Sequence, residues 1–349
     1  MIEHSGLVAV LGRSNAGKST LVNALVGHKV AIVSPRVQTT RSRIMGVLHG
    51  PGMQMVFVDT PGMHTARTRL GEFMVKQAWG GLDGIDACLL VVDATMGFGE
   101  MEHDILRRMI RTRMPIFCAV NKTDAVSRQA LFDVLATTPG DAFCEVVPIS
   151  ALAGDNLDLL RDLLCQAMPE GPAYFPEEYY TDQPQRRMAA ELIREAALNL
   201  LRDEIPHGIG VDITKIEDRR EEPEAQESAE KESAARANAA QERVGHENAA
   251  REPIAKGNTA HEPAARQNTA KPQRPHRPFV RVEANLLVER PTHKGMVIGA
   301  GGSMLRQIGT QARQGLEELF GAQTHLQLYV RVQPNWRESV GLLREMEYE

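Results

Sequence analysis

The sequence predicts an α/β domain built on a mostly parallel sheet with helices on both faces, followed by a smaller α+β domain. Three observations carry this. At 349 residues the chain exceeds one ordinary domain. In its first half, strand-like runs alternate with helical ones, the pattern of a parallel sheet. After a proline-rich linker the order changes to helix, strand, strand, helix, strand, with a compositional break inside it.

The first-half strands are Leu7–Leu11, Met55–Val58, Cys88–Val92, Ile116–Val120 and Glu145–Ile149, short runs of β-branched or large apolar residues. Between and after them, Thr20–Val26, Met101–Arg111, Ala130–Ala136 and Leu157–Ala167 space apolar residues near 3.6 and read as helices. Pro169–Pro184, with four prolines and the aromatics Tyr174, Phe175, Tyr179 and Tyr180, reads as an ordered linker packed on a neighbouring surface. A helix follows, Gln185–Arg202, with Met188, Leu192, Ile193, Ala196 and Leu200 on one face. Val211–Ile216 then alternates like a strand.

From Asp218 to Arg277, Ala, Glu, Arg, Asn and Pro dominate, with no Leu, Phe, Tyr or Trp. Such a stretch cannot bury a core. It holds two near-copies of a ten-residue unit, starting at Glu252 and Glu262, and is expected to be a disordered low-complexity insertion. Order resumes with an alternating strand, Phe279–Val288, then the glycine cluster Gly299–Gly302. A helix bearing Leu305, Ile308, Ala312 and Leu316 follows, then a strand, His325–Val332, and a short amphipathic tail helix with Trp336, Val340, Leu342 and Leu343.

Bulk properties narrow the function classes. A net charge of -5 argues against coating nucleic acid by charge alone, so any RNA contact should be a local patch. The longest apolar run, around Ile85 to Val92, is interrupted by Asp86 and too short to cross a bilayer. The N-terminal residues lack the basic head and apolar core of a signal peptide, so a cytosolic protein is expected. Cys88, Cys118, Cys144 and Cys165 are widely spaced without a Cys-x-x-Cys, and read as reduced core thiols.

Four motifs follow the predicted strands, where ligands bind in parallel α/β sheets. Gly12-Arg13-Ser14-Asn15-Ala16-Gly17-Lys18-Ser19 fits Gly-x-x-x-x-Gly-Lys-Ser between a strand and a helix, with Thr20 next. Backbone amides there favour phosphate oxygens, Lys18 would bridge the β- and γ-phosphates, and Ser19 would ligate Mg²⁺. In Asp59-Thr60-Pro61-Gly62 the carboxylate can hold the metal through water and the Gly62 amide can detect the γ-phosphate. Asn121-Lys122-Thr123-Asp124 discriminates the base, because a carboxylate accepts from guanine N1–H and its exocyclic amine, which adenine cannot offer. Ser150-Ala151-Leu152 would supply a backbone amide to the guanine oxygen. The expected ligands are therefore GTP and GDP with Mg²⁺. A P-loop kinase using ATP would have no reason to carry Asn121 and Asp124.

These motifs resemble those of the translation-factor-related GTPases. The stretch Ser34-Pro-Arg-Val-Gln-Thr-Thr-Arg41, with Asp59-Thr-Pro-Gly-Met-His64, resembles specifically the Era family. The resemblance implies that one threonine of Thr39-Thr40, Thr40 in preference, closes onto Mg²⁺ in the GTP state, making Lys18, Thr40 and Gly62 the candidate catalytic residues and Ser19, Thr40 and Asp59 the metal set. Where many GTPases carry a water-orienting glutamine, this chain has Met63, so hydrolysis is expected to be slow. A potassium ion near Asn15 is expected to neutralise part of the transition-state charge, as in relatives with asparagine there. The alternative role for Asn15 is bracing the loop.

The second half resembles a type II KH domain, the partner domain in the Era family. In such a module a Gly-x-x-Gly loop lets the nucleic-acid backbone approach while bases lie along an apolar groove. Lys294, Val297, Ile298, Gly299, Ala300, Gly301, Gly302, Leu305 and Arg306 are the implied RNA contacts. Ala300 and Gly301 stand where a basic or amide side chain is common, which shifts phosphate contact toward Arg290, His293, Lys294, Arg306 and Arg313. The expected boundaries are 1–170 for the G domain, 171–184 for the linker, 185–332 for the KH domain interrupted by 218–277, and 333–349 for the tail.

The resemblance further implies a monomer that binds the 3′ end of small-subunit (16S) rRNA and the small ribosomal subunit, acting in rRNA processing and subunit assembly with a link to cell-cycle control. Its implied place is the cytoplasm, with peripheral contact to the inner face of the cell membrane. A reading from another class is a regulatory switch whose C-terminal domain binds a protein partner or the inner membrane surface.

Overall fold

In the computed structural model, residues 4–36, 39–62, 68–80, 84–201, 208–218 and 279–346 are described. Strands β1 (His4–Leu11), β2 (Ile44–Gly50), β3 (Met53–Asp59), β4 (Ala87–Asp93), β5 (Ile116–Asn121) and β6 (Glu145–Pro148) form one sheet in the order β2-β3-β1-β4-β5-β6. All neighbours are parallel except β2, which runs antiparallel to β3 from Ile44 opposite Asp59 to Gly50 opposite Met53.

The alternation of side chains along each strand builds two cores. β1 sends Val8 and Val10 to one face and Ala9 and Leu11 to the other. Helices α1 (Lys18–Val26) and α5 (Leu157–Gln166) cover the first face with Leu21, Val22, Leu25, Leu160 and Leu164. Helix α3 (Glu100–Ile110) covers the second with Ile105, Leu106 and Met109, joined by Leu131, Val134 and Leu135 of α4 (Arg128–Thr137). β3 and β4 are buried along their whole length, as central strands covered on both faces must be. Each buried Val, Leu, Met or Phe among them contributes about 1.5–3 kcal/mol through removal from water.

Residues 169–182 run back along the sheet edge. Thr181 bridges Gly46 of β2, the Val47 amide donates to the Tyr180 carbonyl (2.9 Å), and the fully buried Gln54 of β3 accepts from the amides of Tyr174 and Phe175. The linker is thus held largely by its backbone: Tyr174 and Tyr179 are exposed, and the Tyr180 ring lies against His28, with centroids 3.7 Å apart.

The second unit places α6 (Gln185–Leu200) and α8 (Ser303–Phe320) on one face of a three-stranded sheet, β7 (Gly210–Asp218), β8 (Phe279–Val288) and β9 (Gln323–Val332), in the order β7-β8-β9. β7 is antiparallel to β8, and β9 is parallel. Along β8, Val280, Val282, Ala284 and Leu286 alternate inward, and Ile308, Ala312, Leu316 and Phe320 form the facing stripe of α8. Helix α7 (Pro291–Ile298) starts on a proline, whose missing N–H costs nothing at the first helical position.

Three elements are absent from the sequence reading: β2, α7 and α2 (Arg69–Gly80). Asp218 ends β7, and the rest of the expected insertion lies outside the described residues. Trp336 sits in a short 3₁₀ turn, Trp336–Glu338, ahead of the tail helix α9 (Val340–Glu345) rather than on it. Cys88 and Cys118 are buried, with thiol pKa values pushed up by burial to about 11 and about 12, whereas Cys144 is exposed and so is no core thiol. No helix among the described residues is long and apolar enough to cross a membrane.

Candidate nucleotide site and nucleic-acid groove

The loop from Gly12 to Gly17 joins β1 to the amino end of α1. Gly17 has φ 91°, and a Cβ there would lie 2.2 Å from Asn121 Nδ2, so a side chain is excluded by both backbone and space. Lys18 Nζ donates to the carbonyls of Gly12 (3.1 Å) and Arg13 (3.0 Å). Burial lowers its pKa to about 8, against the opposing pull of Asp59. Burial likewise pushes the Asp59 carboxyl above the usual range, with Lys18, Ser19 and Thr40 acting the other way. For both groups the cost of burial thus exceeds their mutual attraction, a cost that an anion beside Lys18 and a cation beside Asp59 would offset.

The cation's place is definable. Ser19 Oγ donates to Asp59 Oδ2 (2.7 Å) and lies 2.9 Å from Thr40 Oγ1, which is itself 3.5 Å from the same carboxylate oxygen. Asp59 Oδ1 is buried without a hydrogen-bond partner. Two hydroxyls and an orphaned carboxylate oxygen are hard donors of the kind Mg²⁺ accepts, and the donor chemistry fits that ion. No cluster of three or more His, Cys, Asp or Glu able to hold a metal occurs among the described residues. Thr39 also lines the pocket, but its hydroxyl donates to the Arg36 carbonyl (2.7 Å) and not to the Ser19–Asp59 group.

At the opposite end, β5 delivers Asn121. Its side chain is a brace, donating to the Ala16 carbonyl (2.9 Å) and accepting from the Ala151 amide (2.9 Å). Asp124 accepts from the buried Ser150 hydroxyl at 2.5 Å, which fixes the carboxylate at the pocket edge. Lys122 Nζ bonds Asp93 Oδ2 (2.6 Å) and the Asn15 carbonyl (2.7 Å), tying the base end to the phosphate loop. Burial raises the Asp93 pKa, but hydrogen bonds from Lys122 and Thr95 outweigh it and hold the carboxyl below the usual range. Glu102 of α3, fully buried, pairs with Arg13 (2.9 Å).

A cavity of about 290 Å³ brings these parts together, lined by Ser14, Asn15, Gly17, Lys18, Ser19, Thr20, Thr40, Gly62, Asn121, Lys122, Asp124, Ala151 and Leu152. Gly12, Arg13 and Ala16 act through their carbonyls, as above. Thr60 and Pro61 do not line the cavity: the Thr60 hydroxyl donates to the Val10 carbonyl (2.8 Å) and Pro61 is buried. Leu152, 82% exposed, forms the rim. Met63 lies outside the described residues. Sequence reasoning missed Asp93 and Glu102, for which the only signal was an acidic residue after a strand and one three residues into a helix.

The loop carrying Thr39 and Thr40 is clasped by the second domain. Glu195 of α6 pairs with Lys29 (2.6 Å) and accepts from the Val33 amide (2.8 Å), Arg36 donates to the Leu201 carbonyl (3.0 Å), and Arg194, buried and paired with Glu191, donates to the Thr39 carbonyl. Ile32 enters the second domain's core. Burial raises the Glu191 pKa, yet Arg194, Arg41 and Arg187 overcome this and hold the carboxyl low. Arg41 lies over the ring of Trp336 (5.4 Å to its centroid), and Trp336 packs with Leu343, Leu287 and, from α2, Leu70 and Met74. The Thr39–Thr40 loop, through Arg41, and α2, through Leu70 and Met74, thus meet at one tryptophan.

The glycine loop joins α7 to α8. Gly299 has φ 71° and Gly302 φ 77°, where L side chains are rare. Beside it lies a groove of about 270 Å³ between α8 and β9, lined by Gly302, Leu305, Arg306, Gly309, Thr310, Arg313, Leu326 and Leu328. Of the RNA contacts implied by the sequence, Gly302, Leu305 and Arg306 line this groove. Lys294 and Ala300 are exposed at the approach, and Ile298 and Gly301 are also accessible. Val297 is a correction: it is fully buried in the domain core, because its place on α7 points at the sheet, so it anchors the loop instead of touching a ligand. Gly309, Thr310, Leu326 and Leu328 were missed, since a groove wall shared by a helix and an edge strand leaves no local pattern.

Comparison with known proteins bears on both sites. The family described as 50S ribosome-binding GTPase matches residues 7–122, and the KH domain family matches residues 278–337. The GTPase Era of Lacticaseibacillus paracasei is 36% identical over 99% of this chain and 97% of its own length, and that of Leuconostoc citreum 37% identical over 99% and 96%. A solved structure of Era in complex with MgGDPNP and nucleotides 1506-1542 of 16S ribosomal RNA is 31% identical, with a TM-score of 0.78 and 99% of each chain covered. A variant of Aquifex aeolicus Era bound to GDP.AlF4- is also 31% identical over 99% of each chain, with a TM-score of 0.79. With its nucleotide pocket, glycine loop and near-complete coverage by relatives above 30% identity, the chain belongs to the Era family of GTPases.

Proposed function

We propose that this GTPase couples its nucleotide state to binding of the 3′ end of small-subunit rRNA, and so acts as a checkpoint in small-subunit assembly. The observation that carries the coupling is the clasp: the Thr39–Thr40 loop and α2 both pack on the domain that holds the glycine loop, through Arg194, Glu195 and Trp336. The RNA is suggested by the 16S ribosomal RNA fragment held by the similar Era structure. The family description naming the 50S ribosome matches only residues 7–122, which exclude the groove, and so does not bear on what the groove holds.

Lys18 would neutralise the β- and γ-phosphates, Gly62 would present its amide to the γ-phosphate, and Thr40 and Ser19 would direct hydroxyls at the metal position beside Asp59. Mg²⁺, when bound, supplies charge neutralisation between those phosphates. Asp124, oriented by Ser150, would read the guanine edge. Asn15, exposed at the lip of the pocket with φ 65°, is the residue that would lie beside a potassium ion. Crosslinking the full chain to RNA in cells and sequencing what is recovered tests the assignment. Enrichment of the small-subunit 3′ end is expected, and recovery of no ribosomal RNA would refute it.

A further inference from the structure

Within the nucleotide cavity one group has no task in the arrangement above. The hydroxyl oxygen of Ser14 is buried and makes no hydrogen bond. Its neighbours are committed: Ser19 to Asp59, Thr40 to Ser19, and Thr60 to the Val10 carbonyl. A buried hydroxyl without a partner is unfavourable, and natural folds rarely keep one unless a ligand or water completes it.

The surroundings of Ser14 specify the ligand group. Ser14 sits on the phosphate loop and lines the same cavity wall as Lys18 and Gly62. A Cβ placed on Gly62 would lie 2.6 Å from Ser14 Oγ and 2.5 Å from Ser14 Cα, so the two residues face each other in contact across the loop from Lys18. The terminal phosphoryl group of a bound triphosphate belongs between the phosphate-loop lysine and the glycine of the second motif. A phosphate oxygen only accepts hydrogen bonds, and a serine hydroxyl is a donor free to rotate onto it.

We propose that Ser14 donates its hydroxyl to the γ-phosphoryl group, making it a specificity residue for nucleoside triphosphate over diphosphate. The proposal rests on the guanine-nucleotide reading of the pocket. It gives this chain a side-chain contact on the γ-phosphate beyond Lys18.

The test measures affinities of the full chain and its Ser14→Ala variant for GDPNP and for GDP, with melting of the nucleotide-free proteins as a folding check. Loss of a hydrogen bond to a charged group should weaken GDPNP binding about tenfold and leave GDP binding within about twofold. The ³¹P resonance of the γ-phosphate should also shift in the variant, a change that loosened packing around the loop would not confine to that phosphorus. Equal weakening of both nucleotides, or no change in either, overturns the role. Failure of the unaltered chain to prefer GTP over ATP would instead refute the underlying reading, whatever the variant does.

Discussion

Trp336→Ala is the perturbation that the interdomain packing makes most informative. Trp336 is fully buried among Leu70, Met74, Leu287 and Leu343, its Nε1 donates to the Gly208 carbonyl (2.9 Å), and Arg41 rests over its ring. Truncating a buried tryptophan costs about 3–5 kcal/mol through lost transfer energy and the cavity left behind. The lost hydrogen bond adds about 1 kcal/mol and the lost cation–π contact about 0.5–1 kcal/mol, with overlap among the three. About 4 kcal/mol is the expected loss. Because Leu70 and Met74 lie on α2, much of it should appear as easier opening of that helix. Hydrogen exchange read peptide by peptide measures this: α2 amides should exchange about a hundredfold faster, the factor set by about 3 kcal/mol. α3 serves as the internal control, because its buried residues belong to a different core. Unchanged exchange in α2, or equal acceleration in α2 and α3, would refute the claim that Trp336 supports the segment beside the γ-phosphate.

Further outcomes follow from the same geometry. Replacing Gly299 and Gly302 together with Asp should lower RNA affinity at least about tenfold, by adding side chains and negative charge where a phosphate backbone must approach, while GTP turnover stays within about twofold. Retained RNA affinity would remove the groove from the account. Lys18 of the nucleotide-free protein titrates at about 8, below its ordinary 10.5, so the free fold gains stability as pH rises from about 8 toward 10.5. Bound phosphates hold Lys18 charged, so nucleotide affinity should fall as pH rises through about 8, with net proton uptake on binding at pH about 9. Calorimetry in buffers of different ionisation enthalpy reads that uptake, and proton release would contradict it. Turnover should be faster in potassium than in sodium at equal ionic strength, and equal rates would exclude a cation role for Asn15.

Much of the G domain was legible because its strands are continuous apolar runs and each nucleotide motif follows one of them. β2 was not, because Ile44–Gly50 carries two glycines and a histidine and gains its order by pairing with β3. The turn Gly50-Pro51-Gly52 between them was the available hairpin signal. α2 repeats apolar residues at Leu70, Phe73 and Met74, a pattern too short to separate from a loop until Trp336 packs against it. Within the site, the motifs named the residues, but spacing could not show that Asn121 braces the loop through Ala16 and Ala151, nor that Thr40 and not Thr39 turns toward Asp59. Val297 was misplaced for a related reason: one apolar residue beside a glycine loop faces the groove or the core according to helix phase, which only the fold settles. The clasp of Arg194, Glu195 and Trp336 on the Thr39–Thr40 loop joins residues far apart in the chain, and no local pattern reports it.

The coupling of nucleotide state to RNA occupancy is tested most directly by measuring affinity for an RNA of the small-subunit 3′ end, with the full chain loaded first with GDPNP and then with GDP. Contact of the Thr39–Thr40 loop and α2 with the domain bearing the glycine loop predicts at least about tenfold tighter binding in the GDPNP state. Equal affinities in the two states would contradict it.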